Sequence, residues 1–228
     1  MFGLFKPKSS QPAAPASIRD TLFGDLPMMQ WPPAGAPSEQ HEPWRSFAQA
    51  RDAYLAGRRE ESIALWKRIA ETPALESRHY LQAWNFLRQH GVQPPAADSK
   101  KLLGVVVEYT LKGGVDLLAA YPQHTARYYN FSGAGVVWEH PDASLDSAID
   151  AVLAAGQQVL NQIGPWKQPR PGPPPEGQLR LNFLSPAGLH FGQASFATLS
   201  NDPLAKPTVD AATSLMQQLV AKDAQLRK

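Results

Sequence analysis

The stretch TARYYNFSGAGVVWEH, residues 125–140, concentrates side chains that could do chemistry. Arginine, tyrosine, asparagine, glutamate and histidine surround a turn of small residues, in which Ser132 stands beside Gly133. Such a stretch could hold a dinucleotide-binding loop, a serine nucleophile or a metal site. Each of these sites needs particular residue types at a particular spacing, so the sequence can be compared with each in turn.

The first two sites lack their required context. The fragment GAG at 133–135 has no third glycine and joins two predicted strands, so no helix N-terminus is available for a phosphate. Ser132 lies outside a G-x-S-x-G elbow, and a nucleophile also needs a histidine and an acid around it. His124, His140 and His190 are candidates for that histidine, but their spacing does not bring them together. We therefore predict a turn serine and no catalytic residue.

The metal-binding alternative is also weak at the level of sequence. The six histidines, at positions 41, 79, 90, 124, 140 and 190, form neither H-x-H nor H-E-x-x-H. Glu139 and His140 are adjacent on a predicted strand and would point to opposite faces, which is poor geometry for one ion. The absence of cysteine excludes thiolate ligands and cysteine nucleophiles. We predict no metal site and no cofactor.

The stretch is best interpreted as a β-hairpin that binds something. On a strand over 125–131, Arg127 and Tyr129 share one face, while Tyr128 and Asn130 share the other. Arginine and tyrosine are enriched at interface hot spots. The candidate partner-binding residues in this part of the chain are Arg127, Tyr128, Tyr129 and Asn130, together with His190 on a later strand.

Composition restricts the class of partner and the location. The net charge is +2 and no run of lysine and arginine exceeds two residues, so we expect no nucleic-acid partner. No stretch approaches 18 apolar residues, which predicts no membrane span. The opening MFGLFKPKSS lacks the apolar region and cleavage site of a signal peptide. We expect a cytoplasmic protein.

Proline clusters divide the chain. Of 22 prolines, eight lie in residues 1–43 and six in 164–177, which predicts a mostly disordered arm and an extended linker. Within the arm, SIRDTLFGDLPMMQW at 17–31 is too hydrophobic for a spacer. It either packs on its own domain or docks on a partner, and both alternatives stay open. Its candidate partner-binding residues are Phe23, Leu26, Met28, Met29 and Trp31.

Residues 44–98 are predicted to form a helical segment. Apolar residues recur with helical spacing over 44–91, and AGR at 56–58, TP at 72–73 and Gly91 interrupt or end the helices.

Residues in the first two of these helices carry a family resemblance. Gly57 stands at the turn, the small residue Ser62 follows five places later, and Trp66 follows nine places later. Ala50 supplies a small residue in the first helix, whereas Pro73 comes one residue early and Ser62 replaces the usual alanine. The pattern resembles one tetratricopeptide repeat plus a following helix. The resemblance implies an antiparallel hairpin with Trp66 buried against the third helix, around Tyr80 and Trp84.

Residues 99–228 change to the period of β-strands. The pattern predicts four strands, a helix, two strands and a final helix over 208–226. Short hairpin connections favour an α+β domain, in which an antiparallel sheet of order ββββ-α-ββ-α carries helices on one face. The order is similar to that of type III secretion chaperones, at the level of topology alone.

These observations lead to one main functional hypothesis and two alternatives. The main hypothesis is a non-enzymatic protein-binding adaptor, chaperone or accessory factor. The first alternative is a small-molecule-binding or hydrolytic enzyme with a pocket near the 125–140 hairpin. Two of the histidines 124, 140 and 190 within about 3.2 Å of a hydroxyl or carboxylate in a cleft would favour the enzyme. The second alternative is a homo-oligomer whose sheet edge pairs with a copy of itself.

Overall fold

A six-stranded antiparallel sheet lies at the centre of the protein, with helices on each side. The computed structural model describes residues 18–32 and 41–226. The strands are β1 (Gly104–Leu111), β2 (Gly114–Tyr121), β3 (Thr125–Tyr129), β4 (Gly135–Trp138), β5 (Gln178–Ser185) and β6 (Gly188–Ser195). The helices are α1 (Ile18–Thr21), α2 (Trp44–Leu55), α3 (Arg59–Glu71), α4 (Ser77–Gln89), α5 (Asp146–Gln162), α6 (Phe196–Asn201) and α7 (Lys206–Leu226), with 3-10 turns at Met28–Gln30 and Ala143–Leu145. The class is α+β, as the sequence predicts.

The sheet has the order β4-β3-β2-β1-β5-β6, which makes β1 and β2 its central strands. The adjacent residues Val105 and Val106 in β1 are both buried, so this strand is covered on both faces. The β1–β2 hairpin closes tightly, with Leu111 paired to Gly114. Gly113 in this turn has φ +110, a conformation that favours glycine.

Helices α5 and α7 cover one face of the sheet, as the amphipathic pattern of each helix predicts. Their side chains pack on alternate residues of the central strands; the shared core includes Val105, Val107, Leu118, Ala120, Leu181, Phe183, Ile149, Val152, Leu160, Leu215 and Leu219. Gly156 in α5 permits the close approach, because a Cβ there would lie 2.7 Å from Val105 Cγ2.

The N-terminal segment 18–32 and α4 pack against the opposite face. Leu22, Phe23 and Leu81 share a core with sheet residues on that face, among them Val106, Leu117, Ala119, Tyr121 and Leu184. The Tyr121 hydroxyl donates to the Leu22 carbonyl at 2.7 Å. The side-chain amide of Gln82 accepts from the Leu26 N–H at 3.0 Å and donates to the Leu26 carbonyl at 2.8 Å. This segment therefore packs on its own domain, and the rest of the predicted arm (1–17 and 33–40) lies outside the described residues.

The proline-rich stretch 164–177 contains neither helix nor strand and is tied to the sheet by hydrogen bonds. The Thr110 hydroxyl donates to the Pro174 carbonyl at 2.6 Å, and the Gly177 N–H donates to the Thr110 carbonyl at 2.8 Å. No helix in the described ranges has both the length and the apolar content that crossing a membrane requires.

Helices α2 to α4 form a second core, in which Ala50, Ser62 and Trp66 are fully buried. The Trp66 ring lies 5.3 Å from that of Phe86 and 5.0 Å from that of His90. Phe86 is in the last turn of α4, and His90 directly follows this helix. The expected contacts were one to two turns earlier, at Tyr80 and Trp84. Tyr80 instead donates its hydroxyl to the Thr72 carbonyl at 2.7 Å, which places the start of α4 beside the end of α3 and the end of α4 beside Trp66.

Replacing Trp66 by alanine should lower the free energy of unfolding by about 3–5 kcal/mol, because a fully buried indole leaves a large cavity. Trp166→Ala is the matched control. Because Trp166 is exposed, its replacement should lower the free energy of unfolding by about 1 kcal/mol or less. Urea denaturation of both variants measures the difference. Equal losses would contradict the packing described for α2 to α4.

His79 is a buried histidine in an aromatic setting. Its ring lies 4.9 Å from Trp44 and 6.3 Å from Trp31, and neither ring nitrogen has a hydrogen-bond partner among the described residues. Burial lowers the pKa of His79 to about 3, and the neighbouring Arg78 charge adds to the effect. His79 is therefore neutral in the folded protein throughout the physiological range.

This histidine predicts a defined loss of stability in acid. Below pH 6.5 the unfolded chain takes up a proton on His79 and the folded protein does not, so the free energy of unfolding falls until the pH reaches about 3. From pH 7 to pH 4 this contribution amounts to about 3 kcal/mol. Urea unfolding at several pH values should show that His79→Leu removes this loss of unfolding free energy. His41→Leu, at an exposed site, should leave the loss unchanged. Parallel pH profiles of wild type and His79→Leu would refute the assignment.

Candidate functional site

The apolar candidates in the N-terminal segment lie mostly in the protein interior. Phe23, Leu26 and Trp31 are each 4% exposed. Phe23 lies in the core against the sheet, whereas Leu26 and Trp31 lie in the core of α2 to α4, where Met28 is half-buried. Met29 alone among these five points outward, with 68% of its surface exposed. Contact of the buried residues with a partner would require the segment to leave the domain.

The hairpin candidates on β3 divide between the two faces of the sheet, as strand alternation predicts. Arg127 donates to Oε1 of Glu139, the residue directly after β4, at 2.8 Å. Burial opposes ionisation of this guanidinium, but the Glu139 carboxylate outweighs it and the pKa of Arg127 is raised. Tyr129 packs half-buried on the same face, whereas Tyr128 packs on the face of α5 and α7.

Asn130 and Ser132 build the turn itself. Asn130 Oδ1 accepts from the Ser132 N–H at 3.0 Å, the Ala134 N–H at 3.1 Å and the Ser132 hydroxyl at 2.7 Å. Ser132 is thus a turn residue that bonds to an asparagine. It has no contact with a histidine among the described side chains.

His190 lies far from the hairpin, on the edge strand at the other side of the sheet. It is fully buried, and its Nδ1 lies 3.3 Å from the Gly188 carbonyl. Burial lowers its pKa below the ordinary value for histidine, against a smaller opposing effect of that carbonyl. His190 therefore neither joins the hairpin residues nor offers a surface to a partner in this conformation.

A cavity of about 330 Å³ opens between the sheet and helices α6 and α7. We call it the sheet–helix cavity. Its walls are apolar and aromatic, with one polar corner; they comprise Val107, Tyr109, Leu111, Asp116, Leu118, Tyr128, Leu179, Phe196, Val209, Ala212, Thr213 and Met216. One hairpin candidate, Tyr128, thus contributes to a concave site.

The polar corner of the cavity consists of Asp116 and Tyr128. The Tyr128 hydroxyl donates to Asp116 Oδ2 at 2.8 Å, and the other carboxylate oxygen accepts from the Phe131 N–H at 2.8 Å. Burial, followed by the hydrogen bond and charge of Asp116, raises the pKa of Tyr128 to about 12. The tyrosine therefore stays protonated at neutral pH and its hydroxyl points to a fixed acceptor.

Sequence reasoning missed the far wall of this cavity. Phe196 begins α6, a six-residue helix that is too short to show helical periodicity. The available signal was Ser195, whose hydroxyl caps the helix by accepting from the Thr198 N–H at 3.1 Å. Met216 lies within the final helix that the sequence predicts over 208–226, but its role in a cavity depends on where α7 crosses the sheet.

A second group of polar residues gathers at one end of the sheet: His124, His140, Asp146 and Asp150, called here the His–Asp cluster. His140 Nε2 lies 3.0 Å from Asp146 Oδ1, and His124 Nε2 lies 3.0 Å from Asp150 Oδ1. The imidazole centroids are 5.3 Å apart. Because β2 and β4 both flank the antiparallel β3, their C-terminal ends meet at the same end of the sheet, which sequence spacing alone does not reveal.

The His–Asp cluster meets only part of the condition for an enzyme. Both histidines lie within about 3.2 Å of a carboxylate. However, their side chains are 32% and 39% exposed, and they are not part of the sheet–helix cavity. The cluster therefore lies on the surface, apart from the concave site.

Comparison of the chain with protein-family models, with curated protein sequences and with solved structures finds no match.

Proposed function

We propose that the protein is a non-enzymatic, protein-binding adaptor of the cytoplasm, and that an apolar side chain of the partner inserts into the sheet–helix cavity. The observation that supports this proposal is the cavity itself, a concave apolar site with a single polar corner. Sites that bind small groups in proteins have this character.

The size and lining of the cavity suit one large side chain. Its volume of about 330 Å³ is at the small end of the range for ligand sites, which extends to about 1,000 Å³. Phe196 is 43% exposed and its ring lies 5.9 Å from that of Tyr109. Met216 adds a flexible, polarisable wall. An anchor residue in such a pocket is the usual form of an interface hot spot.

The polar corner supports binding over catalysis. A general acid or base works best when its pKa lies near the working pH. The pKa of Tyr128 is far above neutrality, and Asp116 is engaged with both its oxygens. This corner can orient a polar atom of the bound group, but its tyrosine is not suited to transfer a proton at neutral pH.

The alternative occupant is a small apolar molecule. The same volume and polar corner favour it, since a fixed hydroxyl and carboxylate can select one orientation of a ligand. A protein partner and a small molecule can be distinguished by photocrosslinking from the cavity, because only the partner gives a protein adduct.

Site-specific photocrosslinking tests the proposal. The full-length chain is produced in cells with p-benzoylphenylalanine in place of Phe196, at the mouth of the cavity, or in place of Val220, which is exposed on α7 and does not line the cavity. We expect a discrete protein adduct from position 196 and none from position 220. Thr213→Phe, which fills the cavity, should reduce the adduct about tenfold, whereas Gln217→Phe on the exposed face of α7 should not.

Two outcomes would contradict the proposal. One is equal adducts from positions 196 and 220, or an adduct at 196 that Thr213→Phe leaves unchanged. The other is no protein adduct from position 196 together with a small molecule, seen by native mass spectrometry, that Thr213→Phe removes. The second outcome would establish the small-molecule alternative.

A further inference from the structure

We propose that His124, His140 and Asp146 form a binding site for one divalent transition-metal ion, of which Zn²⁺ is the model. The sequence motifs predict no metal site, because its residues come from a strand turn, a strand end and a helix that only the fold brings together. The proposal is independent of the sheet–helix cavity.

The distances between the donor atoms suit a single ion. One ligand atom from each of the three residues can be chosen such that all lie within 4.8 Å of one another. His140 Nε2 is 3.0 Å from Asp146 Oδ1, and His124 Nδ1 is 3.8 Å from Asp146 Oδ2. Ligand atoms at about 2.0–2.2 Å from a tetrahedral ion lie about 3.3–3.6 Å from each other. The two histidine–aspartate separations, one to each carboxylate oxygen, lie on either side of this range, and side-chain rotation would bring one oxygen and both imidazoles around the ion.

Asp150 contacts the His124 ring at the nitrogen that does not face Asp146. Asp150 Oδ1 lies 3.0 Å from His124 Nε2, so the Nε2–H group donates a hydrogen bond to the carboxylate. The hydrogen bond assigns the lone pair to Nδ1, the nitrogen that faces Asp146. Metal-bound histidines commonly have a carboxylate partner on the other ring nitrogen, which fixes the ring and strengthens the ligand.

The Asp146 carboxylate has an unused acceptor at the centre of the cluster. Its Oδ1 atom is buried and makes no hydrogen bond within the described part of the chain, although His140 Nε2 is only 3.0 Å away. His140 Nε2 and Asp146 Oδ1 thus lie close together without hydrogen-bond geometry, as two ligands of the same metal ion would. A cation between them would satisfy both.

The backbone also brings the two imidazoles to this point. His124 has φ +54 and His140 has φ +58, in the left-handed region that non-glycine residues rarely adopt. Each residue follows a strand and turns the chain sharply, so both side chains face the first two turns of α5. These turns supply Asp146 and Asp150.

The donor set indicates the class of ion. Two imidazole nitrogens and one carboxylate favour Zn²⁺, Co²⁺ or Ni²⁺, whereas Ca²⁺ and Mg²⁺ prefer oxygen ligands. Three protein ligands leave coordination positions for water or for an atom of a partner. The side chains of the three residues are partly exposed, so these positions open to the surface.

Zinc titration of the full-length, tag-free protein tests the site. After treatment with EDTA and its removal, isothermal titration with ZnCl₂ should show one ion per chain, and Co²⁺ should give the visible absorption of a low-coordinate nitrogen–oxygen site. His140→Ala and His124→Ala should each abolish this binding. Asp150→Asn should weaken it about 10- to 100-fold, the usual effect of losing a carboxylate that orients a ligand.

Glu139→Gln is the matched control, because Glu139 adjoins His140 in sequence but pairs with Arg127 away from the cluster. Zinc affinity of this variant should equal that of the wild type, and unfolding in EDTA checks that every variant is folded. Three results would overturn the proposal: no zinc binding below about 1 mM, binding that persists in both histidine variants, or equal competition by Mg²⁺, which would indicate attraction to exposed carboxylates only.

Discussion

A fully buried carboxylate, Glu108 in the central strand β1, is the constraint on which the rest of the structure depends. Arg19 Nε lies 2.5 Å from one of its oxygens, while Arg180 Nη1 at 3.3 Å and Asn182 Nδ2 at 3.1 Å approach the other. A buried charge costs several kcal/mol unless it is paired and hydrogen-bonded. Arg19, which belongs to the N-terminal segment, supplies one of these partners, so the segment contributes to the stability of the folded sheet.

The charge network extends from Glu108 to the proline-rich stretch. Arg170 in that stretch pairs with Asp20 and Asp25 of the N-terminal segment, each at 2.6 Å. Burial acts to lower the pKa of Arg170, but the two carboxylates outweigh it and raise the pKa. Arg19 also donates to the Pro171 carbonyl at 2.8 Å. One face of the sheet is thus closed by its own chain, and the sheet–helix cavity lies on the other face.

Local sequence patterns were sufficient for much of the fold. Strand alternation and turn residues predicted the antiparallel strands, and helical spacing predicted the two helices that pack on the sheet, α5 and α7. The network around Glu108 left no such signal, because Arg19 and Glu108 are 89 residues apart and a lone acid in an apolar strand does not reveal its partner. The same holds for the candidate sites: Tyr128 was identified in the hairpin, but Phe196 and Asp146 meet their neighbours only through the packing of helices on the sheet.

Residues 18–32 are part of the folded domain and are not a free docking arm. Hydrogen exchange at the Leu26 amide reports this packing most directly, because the Leu26 N–H donates to Gln82 in the buried interface between this segment and α4. Native-state hydrogen exchange should show the Leu26 amide opening with the same free energy as the amides of β1, because the segment and the sheet unfold together. A Leu26 amide that exchanges through a low-energy opening, while the β1 amides stay protected, would contradict this account.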